Sequence, residues 1–496
     1  MKKRVVGVLG CVLLMLSTGC SDECVDQFDC RRKKGDPAEG QEWFCNSNND
    51  CEQRPVVELP LEPDAGGTDA GTPDAGVPDA GEPDAGAPDG GADGGGQGTG
   101  GKGDACTSSA DCTSALRCEG SPMTCQALQV VVTGRDDGGT SKALVMRYDT
   151  PGITMLAEGS GDSRYPRWAP GGTQVSFVQG AVDTSGQKVA GDLTVRDVPL
   201  VAGQAVVVAD GGSGNTEAFR STEWEPGASI AYVRQSASQR SGISVVAPGM
   251  AMSQVTTTGA FPDWSRDGST IAYNVTDEGL LTVKPGGSPT PVANTDKSSE
   301  QPHYNRANDQ LLYLANPAGE LETFAGEILP TSLFRLYDIN VTGGGQPQLV
   351  ADVTTESSTG GDIKSFIAAP TWAPDGSWAA YVRAYYFKPT SGKPVLCGSA
   401  VSPCQTRPGN VIFLKRINPA DGSATGDEVR IADDGTLPSF SPDGRFLAFI
   451  KGGQLQVQQV DPATGALVNA PIIHPKGGFT LQTGDSDDHR PRWQPR

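Results

Sequence analysis

The sequence predicts an all-β fold of four-stranded units closed into a ring, and three observations predict it. A short apolar–turn–apolar phrase recurs: FSPDGRFLAFI from 440, WAPDGSWAAYV from 372, WSRDGSTIAYN from 264 and WAPGGTQVSFV from 168. Its aromatic anchors stand at 168, 224, 264, 304, 372, 440 and 493, spaced by 56, 40, 40, 68, 68 and 53 residues. Between anchors lie four short strand-like runs, as in TIAYNV, LLTVK and TPVAN after Trp264. A period near 40 with four strands per repeat indicates a β-propeller.

The chain begins MKKRVVGVLGCVLLMLSTGC, with a basic start, an apolar stretch and small residues before Cys20. This is too short and wrongly flanked for a transmembrane span and reads as a signal peptide over 1–19. Leu16-Ser17-Thr18-Gly19-Cys20 resembles a lipobox with its Leu one position early. The resemblance implies cleavage before Cys20 and lipidation of that residue. Several acyl chains, at about 0.8 kcal/mol per buried CH₂, would hold the chain on a membrane. Ser21 at the next position implies, by the same resemblance, the outer membrane, facing the periplasm or the cell exterior.

Of twelve cysteines, Cys11 leaves with the leader and Cys20 takes the lipid. Ten remain, an even number suited to an oxidising compartment. Cys24, Cys30, Cys45 and Cys51 fall in a module at 20–58, and Cys106, Cys112, Cys118 and Cys125 in a second at 104–127. Cys397 and Cys404 lie in an insertion. CVDQFDC, CNSNNDC and CTSSADC share Cys-x₄-Asp-Cys, which relates the two modules. Zinc is the rival ligand, but its Cys pairs are usually two to four residues apart with His in support, and the first His is His303. Disulfides are therefore expected at all ten, each contributing on the order of 2–4 kcal/mol to modules too small to hold a core. Between the modules, 59–103 is a Pro-Asp-Ala-Gly repeat without Lys or Arg until Lys102. It cannot bury a core and reads as a self-repelling linker.

Residues 128–496 carry the repeats. Pro-Asp-Gly is type I turn chemistry, with Asp bonding nearby backbone and Gly accepting the left-handed conformation. Flanks such as Leu447-Ala448-Phe449 and Ile271-Ala272-Tyr273 read as strands buried on both faces. A degraded copy from 304, YNRANDQLLYL, places Asn308 where other copies have Gly, and Asn is expected to take the positive φ there. WEPGASIAYV from 224 is a second degraded copy. Pro166, Pro262, Pro302, Pro370, Pro438 and Pro491 precede the anchors by two and are expected to start the innermost strands. The last repeat supplies only a first strand at 491–493, whereas the region from 129 supplies three strands and no first one. Joining these halves closes the ring and leaves no free edge. Seven blades result, or six if 129–157 packs otherwise.

The Pro-x-Trp-Ser-Pro-Asp-Gly-x-x-Ile-Ala-Phe pattern resembles the TolB-like propeller repeat of bacterial envelope proteins, with four good copies, two degraded ones and a terminal fragment. The region ahead of the repeats shows no α/β domain of the kind TolB has there.

The formal net charge of −20 argues against nucleic acid and against electrostatic binding to an anionic membrane, which leaves the lipid as the membrane contact. Catalytic signals are thin. His303, His474 and His489 have no metal-ligand spacing, GGSGN at 211–215 misses a nucleophile elbow, and TGDSDDH at 483–489 reads as a polar loop. No cofactor or metal is expected. The function expected is a non-catalytic scaffold for an envelope or extracellular protein partner. The alternative is an extracytoplasmic propeller hydrolase or lyase acting on polysaccharide or peptide. The long segments 179–191, 315–331 and 384–410 are second-to-third loops, and 352–367 and 475–489 are blade connections, so all five are expected on one rim. Insertions on one face of a repeat fold often mark its binding surface. Phe324, Phe366, Tyr385, Tyr386 and Phe387 are the expected exposed contacts there, with a Cys397–Cys404 disulfide stiffening the longest loop.

Overall fold

The structure, a computed structural model, describes residues 41–45, 51–55 and 99–496. Excepted are 114, 158–160, 181–190, 200–204, 212–216, 237–239, 320, 324–329, 333, 343, 393, 399–403 and 484–487. Two units are present, 1–61 and 62–496. The first holds an antiparallel hairpin, Gln41–Cys45 with Cys51–Pro55, in which Cys45 lies opposite Cys51. The leader, the lipidation position Cys20, Cys24, Cys30 and most of the linker lie outside the described residues.

The second unit is a seven-bladed propeller. Blade 1 consists of Asp162–Trp168, Gln174–Gly180, Asp192–Asp197 and Val206–Ala209. Blade 2 consists of Glu217–Trp224, Ile230–Ser236, Arg240–Val246 and Ser253–Gln254, and blade 3 of Ala260–Trp264, Ile271–Val275, Gly279–Val283 and Thr290–Pro291. Blade 4 comprises Glu300–Tyr304, Gln310–Ala315, Arg335–Asn340 and Gln348–Ala351. Blade 5 comprises Gly361–Trp372, Trp378–Pro389, Asn410–Ile417 and Ala424–Asp433, and blade 6 comprises Gly435–Phe440, Phe446–Lys451, Gln454–Val460 and Leu467–Ile473. Blade 7 takes Gln129–Asp136, Ser141–Arg147 and Thr154–Met155 from one end of the ring and its first strand from the other. That strand is split: Phe479–Leu481 pairs with Gly134–Asp136, and Arg492–Trp493 with Val130–Val131. The segment expected as a plain connection, 475–489, thus supplies part of the closing strand.

The repeated phrase has a defined backbone. In six blades the residue three before the anchor has a φ of 49–59°: Tyr165, Ser221, Phe261, Gln301, Ala369 and Leu437. The ladder slips register just there in each blade. The following Pro, where present, therefore sits within the strand at a bulge, where a missing N–H costs no ladder bond, and does not start the strand. After the anchor, Gly172, Gly268, Gly376 and Gly444 take φ of 65–73°. Asn308 does not adopt positive φ. Its Oδ1 accepts the Gln310 N–H at 2.9 Å, so a side-chain bond closes that turn instead.

The anchors join blades. Indole Nε1 of Trp264 donates to the Glu223 carbonyl at 3.2 Å, that of Trp372 to His303 at 2.9 Å and that of Trp493 to Ser439 at 3.0 Å. Each acceptor is the residue before the preceding blade's anchor. Trp224 reaches Ser176 Oγ at 2.9 Å, which in turn donates to the corresponding carbonyl of Arg167. Alanines at the close approaches, such as Ala231, Ala272, Ala379 and Ala448, are fully buried.

The second cysteine module is continuous with the propeller. Disulfides join Cys106 to Cys118 and Cys112 to Cys125. The Asp of the Cys-x₄-Asp-Cys phrase, Asp111, accepts the N–H groups of Thr107 and Ser108 at 2.8 and 2.9 Å. It therefore shapes the turn that carries Cys112. Gly100–Gly103 already belong to this fold, through Gly100 bridging Cys112 and Gly103 N–H donating to Cys125, so the linker ends earlier than the sequence suggested. The module's Leu116, Cys118 and Cys125 share one apolar core with Val130, Phe449 and Trp493. Arg117 donates to the carbonyls of Pro495 and Gly171, and Arg496 to those of Ser109 and Cys112. The module thus covers the tight-turn rim at the closure.

One buried carboxyl sits between blades 4 and 5. Asp338 is fully buried, and burial pushes its pKa up to about 8 against the pull of the Ile339 N–H. The nearby Asp421 pushes the same way. The folded protein then holds a proton that an unfolded Asp releases near pH 4, so stability falls as pH rises from about 4 to about 8. Asp338→Asn removes that dependence. Its stability advantage over the parent in urea titrations should grow to a few kcal/mol between pH 4 and pH 8. An advantage that does not change with pH would contradict the assignment.

Candidate functional site

The residue before each anchor sets the chemistry of the centre: Arg167, Glu223, Asp263, His303, Thr371, Ser439 and Arg492 in blades 1 to 7. The bulge two residues earlier fixes this register in blades 1 to 6. Contacts among these residues run from blade to blade. Glu223 Oε1 lies 2.8 Å from Arg492 Nη2 and 3.5 Å from Arg167 Nε. Asp263 accepts the Tyr304 N–H at 2.7 Å and Arg306 Nη2 at 2.8 Å. Burial nevertheless pushes Asp263 up to about 6, against the pull of Arg306 and with help from Glu223. Glu223, Asp263 and His303 line a cleft with Ser221, Phe261, Pro262 and Pro302. Its volume of about 10 Å³ suits a single water.

The stretch just before the second piece of the closing strand also enters the centre. Asp488, His489 and Arg490 are all buried. Arg490 donates to the carbonyls of Pro438 at 2.5 Å, Pro370 at 3.0 Å and Ala369 at 3.3 Å, so it bridges blades 5 and 6. The sequence predicts a polar loop over 483–489, and of that stretch Asp488 and His489 are buried. The sequence signal there is HRPRWQPR, three arginines in eight residues around the last anchor.

At the rim, strand order places every second-to-third loop and every blade connection at the same end of the blades. The aromatics expected to be exposed there are not. The first two strands of blade 5 run twelve residues each and project as a hairpin arm, flanked by Thr355–Ser358 and Val395–Leu396. Tyr386 is fully buried and Phe387 is 5% exposed. One face of the arm packs Phe387 with Ile363, Tyr385, Cys397 and Cys404, under the loop that the Cys397–Cys404 disulfide closes. The other sets Phe366, half-buried, 6.3 Å from the Tyr386 ring. Tyr385 is covered by the Arg407 guanidinium at 4.6 Å, which Glu356 holds by two bonds of 2.9 Å. These aromatics form the arm's own core, because a hairpin longer than its blade has no neighbouring blade to bury it. Phe324 lies outside the described residues.

Among the described residues, the metal-type side chains that converge in a group of three are Cys106, Cys112 and Cys125, all in disulfides. His474 Nε2 donates to the Tyr148 carbonyl, 2.8 Å away, and burial pushes its pKa down. It serves the blade 6–7 junction. No helix among the described residues is long and apolar enough to cross a membrane.

The chain is therefore a seven-bladed β-propeller whose centre is crossed by its own Asp488 and Arg490. No family model matches it, and no curated protein matches it. Solved structures do. TolB from Acinetobacter baumannii aligns at 12% identity over 74% of this chain and 67% of that one, with a TM-score of 0.38. A periplasmic gluconolactonase from Pseudomonas aeruginosa aligns at 13% identity over 72% and 98%, with a TM-score of 0.45. An oligogalacturonate lyase in complex with manganese aligns at 12% over 68% and 83%, with a TM-score of 0.41. At such identities the likeness concerns the fold alone.

The arm's packing predicts its response to mutation. Phe387→Ala should lower stability by about 3 kcal/mol, the usual cost of emptying an aromatic core position. Chemical denaturation measures it, and a loss below about 0.5 kcal/mol would show that the arm stands outside the cooperative fold.

Proposed function

We propose that this chain is a lipid-tethered propeller of the bacterial envelope that binds a protein partner on its insertion rim, without catalysis. The observation that carries the reading is the asymmetry of the two rims. The tight-turn rim carries the disulfide-linked module, and residue 99, where the linker arrives, belongs to that module's end of the molecule. The centre is occupied by the chain's own side chains. The insertion rim is left as the face turned away from the tether, with the arm and its fully exposed edge strand Thr355–Ser358 projecting from it. The lipobox-like LSTGC and the Pro-Asp-Ala-Gly linker supply the anchor and the reach. With its aromatics in the arm core, the rim offers polar side chains and strand backbone to the partner.

A second reading has one observation in its favour. Glu223 and Asp263 are neighbouring carboxylates with Asp263 raised, beside His303, which is the kind of split pair that acid–base enzymes use. The cleft's volume and the arginines on both carboxylates weigh against it.

Two measurements on intact cells test the first reading. Cys20→Ser should move the protein from the membrane to the soluble fraction, and unchanged detergent partitioning would refute the anchor. A photo-crosslinking residue at Ser357 on the arm should trap one defined protein, whereas one at Ser269 on the tight-turn rim should not. Adducts from Ser269 alone would place the partner on the other rim.

A further inference from the structure

Asp488 occupies the centre of the propeller in the way a bound ligand would. One carboxylate oxygen accepts the Ser221 N–H at 2.7 Å, the other accepts Arg220 Nε at 2.9 Å, and Arg167 Nη2 stands 3.7 Å away. The main-chain carbonyl of Asp488 accepts Arg167 Nη1 at 3.1 Å. Asp488, Arg167 and Ser221 are 4%, 2% and 8% exposed. The receptor comes from blades 1 and 2, and its occupant from a segment 267 residues further along the chain than Ser221.

The receptor is held in place by contacts that do not involve Asp488. Ser221 is the positive-φ residue of its bulge, φ 50°, and that backbone turn aims its N–H at the carboxylate instead of into the ladder. The Arg220 guanidinium lies over the Tyr165 ring at 5.2 Å, and Arg167 is also engaged by Glu223. Two guanidinium groups and a backbone N–H converging in a buried space form a carboxylate receptor, since charge-assisted bonds of this kind favour an anion with two oxygens. We propose that this part of the channel is a carboxylate-binding site that the chain fills with its own Asp488. The class of ligand it takes is a small carboxylate, or the carboxyl group of an acidic side chain or chain terminus small enough to stand where Asp488 stands. This site is separate from the rim, and the inference does not rest on partner binding there.

Chemical rescue tests it. In Asp488→Ala the receptor is empty and its two arginines have lost their anion, so the thermal midpoint should fall. Sodium formate and sodium acetate, titrated against sodium chloride at matched ionic strength, should raise the variant's midpoint saturably and recover most of the loss. The parent protein, whose site is filled, should respond to formate no more than to chloride. An equal response of the variant to all three salts, or of parent and variant to formate, would overturn the proposal. Should the variant not fold in chloride, its refolding yield becomes the readout. Recovery in formate or acetate alone supports the site, and equal yields in all salts reject it.

Discussion

At the centre of the ring one guanidinium, that of Arg490, joins two blades by satisfying main-chain carbonyls of both. Every bulge in blades 1 to 6 rotates the backbone three residues before the anchor into positive φ, and in blades 5 and 6 carbonyls at or beside that residue accept from Arg490. A buried carbonyl without a donor costs on the order of 1–3 kcal/mol, so a propeller built on this bulge needs donors at its centre. Arg490 occupies the corresponding position of blade 7, three before Trp493, and donates to Ala369, Pro370 and Pro438. The residue that would have been a seventh bulge thus ties blades 5 and 6 to the strand that closes the ring.

From that centre outward the remaining contacts follow as reinforcement. The indole bonds of Trp264, Trp372 and Trp493 carry register from one blade to the next. At the join between blades 7 and 1 the indole N–H of Trp168 is buried without a partner, so that seam lacks the bond its neighbours have. The disulfide-linked module compensates there. Arg117 spans from the last residues of the chain to the blade 1 turn, Gln494 donates to Gly172, and Arg496 returns to Ser109 and Cys112. A small cysteine-rich segment that could not hold a core alone obtains one by sharing the propeller's.

Much of this was legible in the sequence, and the parts that were not share a cause. The aromatic anchors, the Gly turns and the complementary half-blades are local patterns, and they fixed blade count and closure. Pro166 and its equivalents were misplaced because a bulge and a strand start both tolerate Pro, and sequence spacing does not separate them. Asn308 was misread because its side chain offered a second way to close the turn. Tyr386 and Phe387 read as exposed because they lie in an insertion, whereas the insertion lengthens a hairpin that folds over its own aromatics. Asp488 and Arg490 escaped because their partners are between 52 and 321 residues away, and no local pattern announces such contacts.

The most direct test of the central claim is the stability of Arg490→Met by urea denaturation. Methionine keeps much of the apolar stem and removes the donors. The account predicts a loss on the order of 3 kcal/mol or more, since hydrogen bonds to a charged group contribute about 1.5–3 kcal/mol each and the acceptors are left buried. A variant within about 0.5 kcal/mol of the parent would show that the ring closes without this residue and would contradict the account.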